Sequence, residues 1–211
     1  MQPTTRSPNV SAQDAVKKAG NPVKKKRKVH RGKPSNKLVK SAYVGGNQDV
    51  FPDIMRLYVK PGSIVADVTY GKGVFWRNIP SDQYQLLATD ILTGIDCRVL
   101  PYERESIDCV VLDPPYMHTP GGNAHAAHTA FEEHYQNNGS GNKTGVKYHE
   151  AVVSLYVEAG AEAHRVLKNK GILIVKCQDE VCSNRQRLTH IEITEAYNNL
   201  GNYCGRFIHS C

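Results

Sequence analysis

The chain has 211 residues, enough for one α/β domain with a sizeable buried core plus a tail, and too few for two full domains. Its net charge of +7 is uneven: residues 1–40 hold 12 of the 27 Lys and Arg against the single acid Asp14, so residues 41–211 are mildly acidic. No apolar run has the length of a membrane span, and the N-terminus lacks the apolar core of a secretory signal, so we expect a soluble protein that is neither exported nor membrane-bound.

Residues 1–40 are rich in Pro, Gly, Ser, Asn and Lys and show no apolar periodicity. Such a segment buries too little surface to offset its ordering entropy, and we expect a disordered basic tail. Within Pro22 to Val29 lie Lys24, Lys25, Lys26, Arg27 and Lys28, with Arg31 close behind. Clustered cations gain affinity for nucleic acid by releasing counterions condensed on its phosphates, so these six residues are candidate DNA contacts. The same run fits a nuclear localisation signal. The expected location is therefore the cytoplasm of a bacterial or phage-host cell, on DNA, or the nucleus if the host is eukaryotic.

The body alternates helix-like and strand-like pieces. Pro52 to Val59 is expected as a short helix, Ser63 to Val68 as a buried strand and Phe75 to Ile79 as the start of a helix. Leu86 to Thr89 and Cys109 to Leu112 follow as strands, Tyr148 to Leu167 as a long helix and Gly171 to Lys176 as a strand. Leu188 to Leu200 forms a last helix ended by Gly201. Val/Ile/Leu strands separated by helices imply a mainly parallel sheet covered on both faces, whose ligands sit at the carboxyl ends of the strands. The six cysteines form no C-x-x-C pair and are expected reduced. His118, His125, His128 and His134 fall in a polar stretch without partners at metal-ligand spacing, so no metal is expected.

Two motifs fall at those strand ends. Val65 to Asp67 runs into Val68-Thr69-Tyr70-Gly71-Lys72-Gly73, a glycine turn that lets backbone approach a ligand. A dinucleotide fingerprint wants a third small residue at position 76, where this chain has Trp76, and that argues against NAD or FAD. Asp90 ends the second strand, where a carboxylate takes ribose hydroxyls or, equally, caps a turn. The second motif is Asp113-Pro114-Pro115-Tyr116, directly after the strand from Cys109 to Leu112. Two prolines fix the backbone, so Asp113 and the Pro114 carbonyl present acceptors in set directions. An exocyclic base amine whose two hydrogens are accepted there regains a usable lone pair, and Tyr116 offers a face for an extruded base.

With these motifs in place, residues 44–178 resemble a class I S-adenosylmethionine-dependent DNA amino-methyltransferase of the D-P-P-Y group, N6-adenine type. The resemblance implies a Rossmann-like fold and S-adenosylmethionine as cofactor, held by Gly71 and Gly73 at its methionine end with Asp67 and Thr69 beside it. It further implies that Asp90 binds the ribose, that Asp96 contacts the adenine amine, and that the helix around Phe51 packs near the cofactor. Asp113, Pro114, Pro115 and Tyr116 match the catalytic tetrapeptide. The usual closing strands after the last helix have no clear counterpart: only Asn202 to Ile208 suits one, so the sheet is expected to be incomplete at that edge. The expected activity is methylation of adenine N6 in DNA. The alternatives are N4 of cytosine or an RNA base, and an inactive DNA-binding protein on the same fold. Residues 117–147, rich in Gly, Asn and His, are the one spare segment, a flexible insertion too short and polar for extensive base reading, so specificity is expected to be relaxed.

Overall fold

The computed structural model describes residues 45–115, 135, 148–182 and 184–199. The basic run at residues 24–31, Tyr116, all of residues 117–147 except Tyr135, Gly201 and residues 202–208 lie outside them. The described residues fall in the unit Tyr43–Cys211, and among them no helix is long and apolar enough to cross a membrane.

Helix α1 spans Asn47–Tyr58, so the helix expected from Pro52 begins five residues earlier and holds Pro52 in its interior. Proline there removes the bond that would end on the carbonyl of Gln48. That carbonyl instead accepts from the Asn78 side chain at 3.0 Å, which lets the helix run on. Strands β1 (Ile64–Asp67), β2 (Gln85–Ala88), β3 (Ile107–Leu112) and β4 (Leu167–Val175) form one parallel sheet in the order β2-β1-β3-β4. β4 starts four residues before the expected Gly171, because Leu167 already pairs with Ile107.

The helix expected from Phe75 does not form. Val74–Trp76 is a single 3-10 turn, and the chain reaches Pro80 four residues later. Proline disfavours helical backbone at the residue before it, which leaves no room for a second turn. A second 3-10 turn, Ile91–Thr93, follows β2. The long helix α2 (Tyr148–Val166) and the last helix α3 (Thr189–Asn199) form close to their expected bounds. Between β4 and α3 lies a hairpin that the sequence did not announce, β5 (Glu180–Cys182) against β6 (Arg185–Arg187).

The sheet carries apolar residues on both faces, as a doubly covered sheet requires. Alternation along β1 and β3 sends Val65, Cys109 and Val111 toward Phe51 and Met55 of α1 and Val59 just after it, and Ala66, Val110 and Leu112 toward α2. On α2 the buried positions Ala151, Val152, Leu155, Tyr156, Ala159 and Ala163 recur at helical spacing and make one stripe. Gly160 completes that stripe, and α3 lays the fully buried Tyr197 over it, its hydroxyl donating to the Tyr156 carbonyl at 2.6 Å. His149, fully buried at the start of α2, sets one ring nitrogen 2.6 Å from Glu180 of β5 and the other 2.9 Å from Glu192 of α3, tying hairpin and helix together.

Candidate active site

Strand β2 lies on one side of β1, and the chain then crosses to place β3 on the other side. The carboxyl ends of β1 and β3 therefore flank a switch point in strand order, where open α/β sheets form a crevice. Asp67 ends β1, Asp113 follows β3, and Asp90 lies two residues beyond β2.

The glycine loop is bound to both neighbouring strands. On one side the Val68 N–H donates to the Val111 carbonyl at 3.1 Å, and the Asp113 N–H donates to Thr69 Oγ1 at 2.6 Å. On the other the Tyr70 N–H donates to the Thr89 carbonyl at 3.1 Å, and the Gly71 N–H donates to Asp90 Oδ2 at 2.8 Å. Gly71 and Gly73 have φ of 52° and 63°, backbone that glycine adopts at little cost. A side chain at Gly73 would also run into Tyr70, whose hydroxyl oxygen lies 2.5 Å and nearest ring carbon 2.7 Å from an added Cβ, whereas one at Gly71 meets little. Thr69 is thus hydrogen-bonded to Asp113 and Gly71 to Asp90, and the loop backbone joins the two pairs.

Asp67 is 1% exposed and holds its Oδ2 2.6 Å from the Trp76 indole N–H and its Oδ1 3.2 Å from the Thr69 N–H. The tryptophan that argued against a dinucleotide is therefore a hydrogen-bond partner of the β1 carboxylate. Burial pushes Asp67 up to about 7, against the opposing pull of these two donors, with Asp113 and Asp90 adding repulsion. A carboxyl raised in the folded state keeps a proton that the unfolded chain has released. The stability it contributes is present below its unfolded value near 3.8 and is lost as pH rises to about 7. That span corresponds to a loss on the order of 4 kcal/mol. We expect Asp67→Asn to gain stability relative to the unmodified chain as pH rises from 4 to 7. Urea unfolding at several pH values checks this, and a constant difference would show that Asp67 is not raised.

Asp113 sits at the mouth of β3, its side chain 21% exposed, with Lys176 Nζ 3.0 Å from Oδ1 and 3.4 Å from Oδ2. Burial raises its carboxyl to about 6, and the Lys176 ammonium opposes the rise. Pro114 is buried, and its carbonyl takes the longer arm, at 3.3 Å, of a hydrogen bond that the Tyr156 hydroxyl shares with the nearer Lys176 carbonyl at 2.8 Å. A carbonyl oxygen has two lone pairs, so this hydrogen bond leaves one for a further donor. Lys176, Tyr156 and Trp76 are the residues that sequence reasoning gave no role at the site. For Lys176 a signal was present: a charged residue closing the apolar run Ile172 to Val175, at the strand end next to Asp113.

The residues fit the cofactor implied by the motifs at two of its three parts. Asp90 spends one lone pair of Oδ1 on the Leu92 N–H, at 2.9 Å, and one of Oδ2 on Gly71, which leaves acceptors for two ribose hydroxyls. It therefore caps a turn and still offers acceptors outward. The open backbone at Gly71 suits the methionine end. Asp96 does not fit its implied role. Both its oxygens are taken by Arg98, which donates from its backbone N–H at 2.9 Å, from Nε at 3.0 and 3.1 Å and from a terminal nitrogen at 2.6 Å. Burial would raise Asp96, but these bonds outweigh it and hold the carboxyl below its usual range. Asp96 lines a surface cleft with Arg98, Arg104 and Glu158 that includes neither the glycine loop nor Asp113. Phe51 is buried and stacks on Phe75 with ring centroids 4.7 Å apart, behind the glycine loop. Cys97, Cys109, Cys177 and Cys182 are buried thiols outside any disulfide. No protein-family model matches the chain, and no curated protein matches it.

Proposed function

We propose that this chain transfers a methyl group from S-adenosylmethionine to N6 of adenine in DNA, at a very short motif or at many adenines. The observation that supports this best is Asp113-Pro114-Pro115 at the carboxyl end of β3, beside the switch point, with Asp113 hydrogen-bonded to the glycine loop through Thr69. Bound S-adenosylmethionine supplies an electrophilic methyl group on a positively charged sulfur. Asp113 and the remaining lone pair of the Pro114 carbonyl accept the two amine hydrogens and direct the nitrogen lone pair outward. The new C–N bond forms as the C–S bond breaks toward sulfur, and Asp113 takes the proton that the amine releases and passes it to water. Tyr116, next in sequence, is the surface for the extruded base. Asp90 and the Gly71–Gly73 loop bind the cofactor, and the basic run at residues 24–31 binds DNA phosphates.

The test is incubation of the full chain with labelled S-adenosylmethionine and duplex DNA, followed by digestion to nucleosides. Label in N6-methyldeoxyadenosine supports the proposal. Label in N4-methyldeoxycytidine, or in RNA alone, moves the target, and tight cofactor binding without transfer to any nucleic acid rejects the catalytic reading. Deletion of residues 1–40 is expected to weaken DNA binding and flatten its salt dependence by about 0.9 slope units for each phosphate that the tail no longer neutralises. Salt titrations that superimpose with and without the tail would remove it from the DNA interface.

A further inference from the structure

We propose that Lys176 is a positioning residue of the transfer site, whose ammonium holds Asp113 in the ionised form that the target amine needs. The inference rests on the methyltransferase reading and extends it to a strand end that carries none of the motif residues.

The placement of Lys176 follows from strand register. Leu112 pairs with Val175, so the next residues, Asp113 and Lys176, leave neighbouring parallel strands side by side. The Lys176 N–H donates to the Leu112 carbonyl at 3.0 Å and continues the ladder one step past the last pair. The Lys176 carbonyl accepts from the Tyr156 hydroxyl at 2.8 Å, and the same hydroxyl lies 3.3 Å from the Pro114 carbonyl. One buried hydroxyl therefore fixes the backbone on which Lys176 stands relative to the backbone that follows Asp113. From that anchored base Nζ reaches both carboxylate oxygens.

The chemistry makes the charge of Lys176 matter. A carboxylate accepts an amine hydrogen, whereas a protonated carboxyl turns one of its oxygens into a competing donor. Several groups face Asp113. Asp67, on β1, is close enough for the two carboxyls to repel, and Asp90 acts in turn on Asp67. From α2 the uncharged Tyr156 hydroxyl reaches Pro114, and from β4 comes Lys176. Burial favours the neutral form of Asp113, and the Lys176 ammonium opposes it. With Lys176 in place the carboxyl lies at about 6, ionised in most molecules at pH 7. Without it the value moves up through neutrality and the acceptor is lost in a large share of molecules. An opposite charge at this range shifts a carboxyl by about 1–3 units, which sets the size of the effect.

The test compares the full chain with Lys176→Met and Lys176→Gln, which remove the charge, and with Lys176→Arg, which keeps it. Asp113 is titrated through its carboxyl carbon by nuclear magnetic resonance, and methyl transfer to DNA is measured from pH 5 to 9. In the neutral variants we expect the Asp113 titration and the acid limb of the rate profile to move up together by about 1–3 pH units. Transfer at pH 7 falls and returns at pH 9, while Lys176→Arg keeps the original limb. An Asp113 titration that does not move overturns the inference. So does a loss of transfer that is equal at every pH, because that is the mark of a purely structural role. If the unmodified chain transfers no methyl to any nucleic acid, the functional reading fails and this role in transfer fails with it. Transfer by the unmodified chain with an unmoved acid limb in both neutral variants rejects Lys176 alone.

Discussion

Asp113→Ala is expected to reduce methyl transfer by about 10²–10⁴-fold, the range for removing a positioned proton acceptor, and to leave cofactor affinity within a few-fold. The separation follows from the hydrogen bonds around the residue. The loop proposed to hold the cofactor is bound to Asp113 through its backbone N–H, which donates to Thr69 and survives the substitution. Its carboxylate pairs with Lys176. Removing that carboxylate takes away the proposed acceptor for the amine and leaves in place Asp90 and Gly71, the proposed cofactor contacts. Single-turnover transfer to DNA and calorimetric titration with the cofactor product measure the two halves. Near-normal transfer would remove Asp113 from the chemistry, and a matching collapse of cofactor affinity would show that it holds the loop instead.

Gly160→Ala is expected to destabilise the fold even though alanine is the better helix former. In an exposed helix the exchange gains about 1 kcal/mol. Here an added Cβ would lie 2.3 Å from the Tyr197 ring and 2.6 Å from its hydroxyl oxygen, distances that require the helices to move apart. Tyr197 is fully buried and its hydroxyl is committed to the Tyr156 carbonyl, so the ring has no free rotation that clears the methyl. Overpacking of this kind costs about 1–3 kcal/mol, and loss of the hydrogen bond adds about 1 kcal/mol, which together exceed the propensity gain. Urea unfolding should show a lower midpoint. Because the Tyr156 hydroxyl also bonds the Pro114 carbonyl, transfer should fall with stability. A raised midpoint would mean that α3 does not press on α2 as described.

The four strands of the parallel sheet were legible in the sequence because apolar runs such as Cys109 to Leu112 have few alternatives, and the placement of Asp113 followed from its position directly after one. The helix after the glycine loop was expected from the motif and did not form, since Pro80 lies too near for more than one turn. The true start of α1 is hidden because proline favours the first turn of a helix, whereas the cost of Pro52 in the interior is offset by Asn78, a partner distant in sequence. Asp96 stands in a run that suits a cofactor ligand, yet the arginine two residues on occupies it, and local pairing of that kind follows from side-chain geometry that spacing does not show. Lys176 and Tyr156 act through pairings between strand, helix and turn that only the register of β3 against β4 brings together. The hairpin β5/β6 is three residues a side, too short for alternation to mark it.

The exposed edge of the sheet gives the crevice two walls of unequal stiffness. Among the described residues strand β2 pairs only with β1, and its residues are mostly exposed, Leu87 at 36%. Strand β3 has a neighbour on each side and apolar cover on both faces. Local opening costs least where little apolar packing and few ladder bonds must be broken together, and approaches the global unfolding free energy in the core. Asp90, on the wall proposed to receive the cofactor, therefore follows the strand whose local opening costs less. Asp113 follows a strand that is paired on both sides and covered on both faces, where local opening costs more. On the proposed function, ligand entry would draw on the β2 wall, while the proposed acceptors at Asp113 and Pro114 would stay on the stiffer one.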